Sequence, residues 1–330
     1  MRALAIVEGD LQVVERPVPG PGAEEALIRV HGAGLNRADL LQRAGHYPPP
    51  PGVPADIPGL EFAGEVAGVG SGVRGLAPGD RVFGITAGGA QAEYLTVHAS
   101  HCAPVPDGLD LVQMGGVPEA FITAHDAMVT LAHVAAGEWV LVHAAGSGVG
   151  TAAVQLARAL GAHVIGTART PDKLEQCRPL GLEVGVVPAV NAEGALDVDA
   201  LAWSIIEATG EGAHVTLDLV GGPYVEADVA AATPKGRIVC IGTMAGTRAT
   251  VPVHLMLGKR LHLIGTVLRT RDVDEKAAAT AGFARDVVPL LADGRITPVV
   301  HAVVPLEHAV EAYEMVASNA TFGKVILDCR

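Results

Sequence analysis

The sequence predicts an α/β protein: a doubly wound, parallel six-stranded sheet joined to a second, mostly β domain that is discontinuous in the chain. Three observations predict it. A short apolar run, Trp139 to Val142, breaks into a turn with glycines at 146, 148 and 150, then into a helical segment with Val154, Leu156, Ala157 and Leu160 on its apolar face. From there to residue 267, apolar strands alternate with helical or loop crossovers. The first hundred residues have another texture, with short strand-like bursts separated by Gly and Pro.

In chain order, Leu4–Val7, Leu11–Val14 and Ala26–Val30 read as short antiparallel strands. Asn36–Ala44 reads as a short helix that Asn36 can cap. Six prolines between positions 48 and 58 forbid a helix and make Gly45–Gly59 a stiff extended loop. Strands resume at Glu61–Val69, Arg81–Ile85 and Ala90–Val97, with a turn at Pro78–Asp80. Pro118–His133 reads as one helix with proline in its first turn. The six sheet strands are expected at 138–143, 163–167, 184–187, 214–219, 237–241 and 261–267. The last segment, 272–330, reads as a helix at about 274–292, a strand near Val299–Val304, a helix at 307–317 and a strand Lys324–Leu327. It is too small for a third domain and is assigned back to the first. The expected domains are therefore 1–120 with 269–330, and 121–268.

Strand, glycine turn and helix make the first half of a dinucleotide-binding unit, although the glycines are spaced G-x-G-x-G rather than G-x-G-x-x-G. Gly146 and Gly148 let the backbone turn and approach a pyrophosphate, and Gly150 lets helix and strand approach each other. Ala145, Ser147 and Val149 complete a turn whose N–H groups face the anion at a helix N-terminus. NAD enzymes of this fold hold the ribose 2′-OH with an acid at the end of the second strand. Here that place reads Gly166–Thr170 with no acid before Asp172, while Arg169, Thr170 and Lys173 offer two cations and a hydroxyl to a 2′-phosphate. NADPH is the expected cofactor. Gly242, Met244, Leu268 and Arg269 follow the fifth and sixth strands at their carboxyl ends, where a dinucleotide crosses an open sheet. For Arg269 and Arg271 the alternative is ion pairing with Asp272 or Asp274.

At 330 residues the chain exceeds one ordinary core, and 49% hydrophobic against 18% charged residues excludes a disordered or fibrous chain. A net charge of −13 argues against nucleic-acid or anionic-membrane partners. The N-terminal apolar run is too short for a signal peptide and no 18-residue apolar stretch follows, so a cytoplasmic location is expected. Cys102, Cys177, Cys240 and Cys329 are far apart, which fits reduced structural thiols rather than a zinc ribbon or disulfide framework. The apolar sixth strand, His262–Leu268, would end the sheet as a bare edge, and a homodimer or higher homo-oligomer is expected.

The stretches Leu35–Gly52, Gly88–Tyr94, Pro118–Ala124, Leu217–Gly222 and Leu268–Asp272 together resemble the zinc-free quinone oxidoreductase (zeta-crystallin-like) branch of the medium-chain dehydrogenase/reductase superfamily, nearest its tumour-suppressor-induced NADPH:quinone oxidoreductase subgroup. The resemblance covers essentially the whole chain. It implies a Rossmann domain, a GroES-like β domain, and NADPH-dependent reduction of quinones by hydride transfer in an interdomain cleft. It also implies catalytic roles for Asn36 and Tyr47, and a place beside the nicotinamide amide for Thr123. Zinc-dependent relatives carry a cysteine before the first helix and a histidine in Gly-His-Glu, where this chain has Asn36 and Leu60. Leucine cannot bind a metal, so none is expected. Asn36 can also be a helix cap alone, Tyr47 a surface aromatic and Thr123 a packed side chain. His143 reads as a hydrogen-bonded core residue. Two other activities stay open: reduction of 2-alkenals or enones, and dinucleotide binding with little turnover.

Overall fold

In the computed structural model, which describes residues 1–330, the chain divides into two units, Met1–Ile122 with Leu268–Arg330, and Thr123–Val267. The first unit opens with β1 (Arg2–Val7) and β2 (Asp10–Glu15), a hairpin turning on Glu8 and Gly9, both at positive φ. β3 (Glu25–Gly34), β4 (Glu61–Val69), β5 (Arg81–Ile85), β6 (Tyr94–His98) and β7 (Cys102–Pro104) follow. The second unit contributes β8 (Trp139–Val142), β9 (His163–Thr167), β10 (Val184–Val186), β11 (Ala213–Asp218), β12 (Ala232–Cys240) and β13 (His262–Gly265). The chain then returns to the first unit with β14 (Val300–Pro305) and β15 (Lys324–Asp328).

The first unit is a mostly antiparallel sheet in the order β14-β15-β3-β4-β5-β7, with β6 also paired to β3. Alternation decides which face is covered: Ala26, Ile28 and Val30 of β3 are buried while Arg29 is exposed. They pack with Leu4, Phe62, Val82, Leu327 and Tyr313 into one core. Each large apolar side chain so buried is worth about 1.5–3 kcal/mol. Helix α1 (Arg37–Arg43) leaves β3 after Asn36, α2 (Leu111–Met114) follows the sheet, and α3 (Pro118–His125) begins at Pro118.

The second unit holds six parallel strands in the order β10-β9-β8-β11-β12-β13, which reverses direction between β8 and β11. Its central strands are continuously apolar, with Val140, Leu141, Val142, Val164 and Ile165 wholly buried, as a sheet covered on both faces requires. Its crossovers carry α4 (Gly148–Ala159), α5 (Pro171–Cys177), α6 (Val198–Thr209), α7 (Tyr224–Ala231) and α8 (Val253–Lys259). Gly150 is needed where α4 meets the turn, since a Cβ there would lie 2.3 Å from the Ala144 carbonyl oxygen. No helix of the chain is long and apolar enough to cross a membrane.

Two predicted helices differ. Pro118–His133 is α-helical only to His125 and continues as a π-helical turn over Asp126–Leu131, with the Ala132 N–H donating to Ala127. The helix expected at 274–292 is broken into α9 (Val273–Asp286) and α10 (Val288–Ala292), followed by α11 (Ala309–Ser318). Pro289 explains the break, because it has no N–H for the preceding turn and restricts the residue before it.

Candidate active site

In the second unit the candidate cofactor residues lie at the carboxyl edge of the sheet. Ser147 caps α4, its Oγ accepting the Gly150 N–H at 3.0 Å. The N–H groups of Gly148 and Val149, both half-buried, find no acceptor within the chain. They leave the positive end of a twelve-residue helix available to an anion. Ala145 and Gly146 are buried beneath, with the Ala145 N–H held by the Thr167 carbonyl at 2.9 Å. Beyond β9, Arg169 and Thr170 are exposed and Lys173 is half-buried on the first turn of α5, which Thr170 starts. Gly242 is half-buried after β12, where a Cβ would fall 2.4 Å from the Leu219 carbonyl oxygen; Met244 is 55% exposed. Thr123 is half-buried on α3. These features fit a dinucleotide carrying a pyrophosphate and a 2′-phosphate.

His143 is a bonded core residue, as its sequence context predicts. Its ring nitrogens lie 2.9 Å from Thr167 Oγ1 and 2.7 Å from Asp228 Oδ1, with no exposure.

In the first unit, Asn36 sits at the N-cap of α1 in extended backbone, and its N–H donates to Asp39 Oδ2 at 2.8 Å. Its side chain has other partners. Nδ2 donates to Glu61 Oε1 at 2.9 Å and to the Gly34 carbonyl at 3.3 Å, while Oδ1 accepts from Lys324 Nζ at 2.7 Å. Both amide protons are therefore engaged, and one Oδ1 lone pair is all that Asn36 has left to offer. Glu61 is fully buried and pairs with Lys324 Nζ at 2.6 Å, and its second oxygen accepts the Glu119 N–H at 2.9 Å at the start of α3. Burial, with Glu61 adding to it, pushes the Glu119 carboxyl up to about 8. Asp39, also buried, accepts the Gly59 N–H at 3.2 Å and so pins the end of the proline loop to α1; burial moves it up to about 6.

Tyr47 is half-buried on that loop. Burial raises its phenol, and Glu119 adds to the rise, while the Arg269 guanidinium opposes it. Arg269, expected at the cofactor from its place after the sixth strand, lies in the first unit, 2% exposed, with its guanidinium bound to Ala87 O at 2.8 Å, Tyr47 O at 2.9 Å and the Gln42 side chain. It pairs with neither Asp272 nor Asp274. Leu268 is buried in the same unit. Glu61, Glu119, Asp39 and Lys324 escaped sequence reasoning. Glu61 stood in plain view in Gly59-Leu60-Glu61, but Lys324 meets Asn36 across 288 residues and leaves no local signal.

Residues 148–282 match the zinc-binding dehydrogenase family, and residues 22–107 match the alcohol dehydrogenase GroES-like domain. The chain is 31% identical over 336 residues to a rat (Rattus norvegicus) quinone oxidoreductase, covering 99% of this chain and 97% of that one. It resembles the structure of Escherichia coli quinone oxidoreductase complexed with NADPH at a TM-score of 0.85 and 27% identity, covering 99% of this chain and all of that one. The CurK enoyl reductase structure is similar at a TM-score of 0.84 and 26% identity, over 99% and 98%. A zinc ion does not fit the residues present. Leu60 is an apolar side chain 3% exposed, the Asn36 amide is engaged on both sides, and Lys324 already neutralises Glu61.

Proposed function

The chain belongs to the zinc-free quinone oxidoreductase branch of the medium-chain dehydrogenase/reductase superfamily, and on that premise we propose that it is a zinc-independent, NADPH-dependent reductase of quinones. The observation that carries the cofactor is the pair of unengaged amides at Gly148 and Val149, in the same unit as Arg169 and Lys173. When bound, the cofactor supplies the hydride. The Gly146–Gly150 turn holds its pyrophosphate, Arg169, Thr170 and Lys173 hold the 2′-phosphate, and Thr123, Gly242 and Met244 line its path.

Tyr47 is the group with a hydroxyl proton to give a substrate oxygen. Asn36 has no free donor, so its part is to accept a hydrogen bond through Oδ1 while Glu61 and Lys324 keep it in place. Quinone reduction asks little more of the protein than orientation and exclusion of water. The likeness to an enoyl reductase supports a second reading, in which the acceptor is a conjugated carbonyl. NADPH oxidation with a quinone panel and an enone panel separates the two, and turnover of neither refutes both. Tyr47→Phe should lower kcat/KM by roughly 5- to 150-fold, the worth of a hydrogen bond of about 1–3 kcal/mol that strengthens in the transition state. An unchanged rate removes the hydroxyl from the chemistry.

A further inference from the structure

Arg269 is a nearly fully buried cation without a carboxylate against it. Its three nitrogens donate to three separate segments: Nε to the Ala87 carbonyl at 2.8 Å, Nη1 to the Tyr47 carbonyl at 2.9 Å, and Nη2 to Gln42 Oε1 on α1. Its Cζ lies 4.7 Å from the centroid of the Tyr47 ring. A rigid fork meeting three acceptors is a task for arginine, since a lysine ammonium can neither span them nor lie flat on a ring. Burying such a charge among neutral acceptors is costly, so its retention needs a reason beyond packing. Tyr47 rides on the loop that Asp39 pins at Gly59; Arg269 holds that loop at its other end, by the tyrosine's own carbonyl.

We propose that Arg269 is a positioning residue for Tyr47. It fixes the backbone from which the phenol projects, and its charge on the ring face keeps the hydroxyl a willing proton donor. A cation over a phenol ring stabilises the negative charge left when the hydroxyl gives up its proton, and so offsets the burial and the Glu119 carboxyl, which work the other way. Arg269 and Glu119 are the charged groups that face this phenol. The proposal rests on Tyr47 acting in turnover, and its test separates the two.

The 330-residue chain carrying 13Cζ-tyrosine has four tyrosine signals, and Tyr47→Phe identifies the one from Tyr47. In Arg269→Gln that signal should titrate at higher pH than in the unmodified protein. Quinone kcat should fall roughly five- to tenfold while NADPH affinity stays within twofold. Arg269→Lys should restore part of the titration and little of kcat, because charge returns without the fork. If Arg269→Gln does not fold, the unmodified protein still decides. The Arg269 side-chain N–H protons should exchange slowly with water and should keep that protection in Tyr47→Phe, whose loop carbonyl is intact. Rapid exchange, or an unmoved Tyr47 titration in folded Arg269→Gln beside a defective Tyr47→Phe, overturns the proposal alone. A fully active Tyr47→Phe overturns the reading on which it rests as well.

Discussion

Replacing Lys324 by methionine keeps the apolar stem and removes only the ammonium. Nζ makes three contacts: Leu35 O at 2.7 Å, Asn36 Oδ1 at 2.7 Å and Glu61 Oε1 at 2.6 Å. The Lys324 side chain is 6% exposed and that of Glu61 not at all, so water cannot take the ammonium's place. Breaking a buried pair from one side costs about 3–5 kcal/mol, because the other charge is left buried. The Asn36 amide and the Glu119 N–H still reach Glu61, which places the expected loss toward about 3–4 kcal/mol. For a unit of this size each kcal/mol lowers Tm by about 2–4 °C, so Tm should fall by about 10 °C. Glu61→Gln alone strands the lysine and should also destabilise. Lys324→Met with Glu61→Gln removes both charges and should recover at least half the loss, the signature of coupling in a double-mutant cycle. Urea unfolding of the cofactor-free protein measures it by far-UV circular dichroism. Trp139 and Trp203 both lie in the other unit, so tryptophan emission reports that unit separately. A single mutant within 1 kcal/mol of the parent, or a double mutant no better than Lys324→Met, refutes the reasoning.

Three further outcomes are expected. Glu119 titrates near 8 when folded against an ordinary 4.5, so the unfolded chain releases this proton first and the residue's contribution to stability falls as pH rises from about 4.5 to 8. Glu119→Gln should flatten that part of the Tm-against-pH profile; an identical slope in both proteins counts against a buried neutral carboxyl. The parent should bind NADPH more tightly than NADH, and neutralising Arg169 and Lys173 together should narrow the gap by roughly 1–3 kcal/mol in calorimetric titrations, whereas equal affinities in the parent would exclude the 2′-phosphate clamp. The edge strand β13 and helix α8 expose Leu263, Val253 and Leu257 at 39%, 61% and 73%, so sedimentation should find a dimer or a multiple of one that Leu263→Lys weakens. A lone monomer at micromolar concentration contradicts this.

The sequence carried the sheet of the second unit because its signals are local: a buried apolar run, glycines at fixed offsets and a 3.6-residue period all fall within twenty residues of Trp139. The proline loop was readable for the same reason. The breaks at His125 and Val287 were not, since helical periodicity runs on through a widened turn or a two-helix joint. The same distinction divides the candidate residues. Gly146–Gly150 and Arg169–Lys173 are proposed from spacing, whereas contacts such as Arg269 to Tyr47 and Lys324 to Asn36 span 222 and 288 residues and leave no such pattern. Position after the sixth strand says nothing of the partners of Arg269, because the chain leaves the sheet's unit at Leu268, one residue earlier.

Asn36 shows most plainly why residue type must be read together with its distant partners. At the position where zinc-dependent relatives carry a cysteine, a thiolate could only accept. The asparagine amide accepts from Lys324 and donates to Glu61 at once, linking a buried cation and a buried anion that also touch each other at 2.6 Å. Asn36→Asp should therefore be worse than Asn36→Ala for stability. The aspartate keeps the acceptor for Lys324 but turns a donor toward Glu61 into a second carboxylate in a site already crowded by Asp39 and Glu119. Alanine removes both bonds and adds no charge. Measured near pH 8, where Glu119 is about half ionised, the difference should widen, because the added carboxylate then faces a further negative charge in the same buried cluster. Equal stabilities of the two variants across pH 5–9 would mean that Lys324 and solvent absorb the extra charge, and the account of Asn36 as a polar bridge would fail.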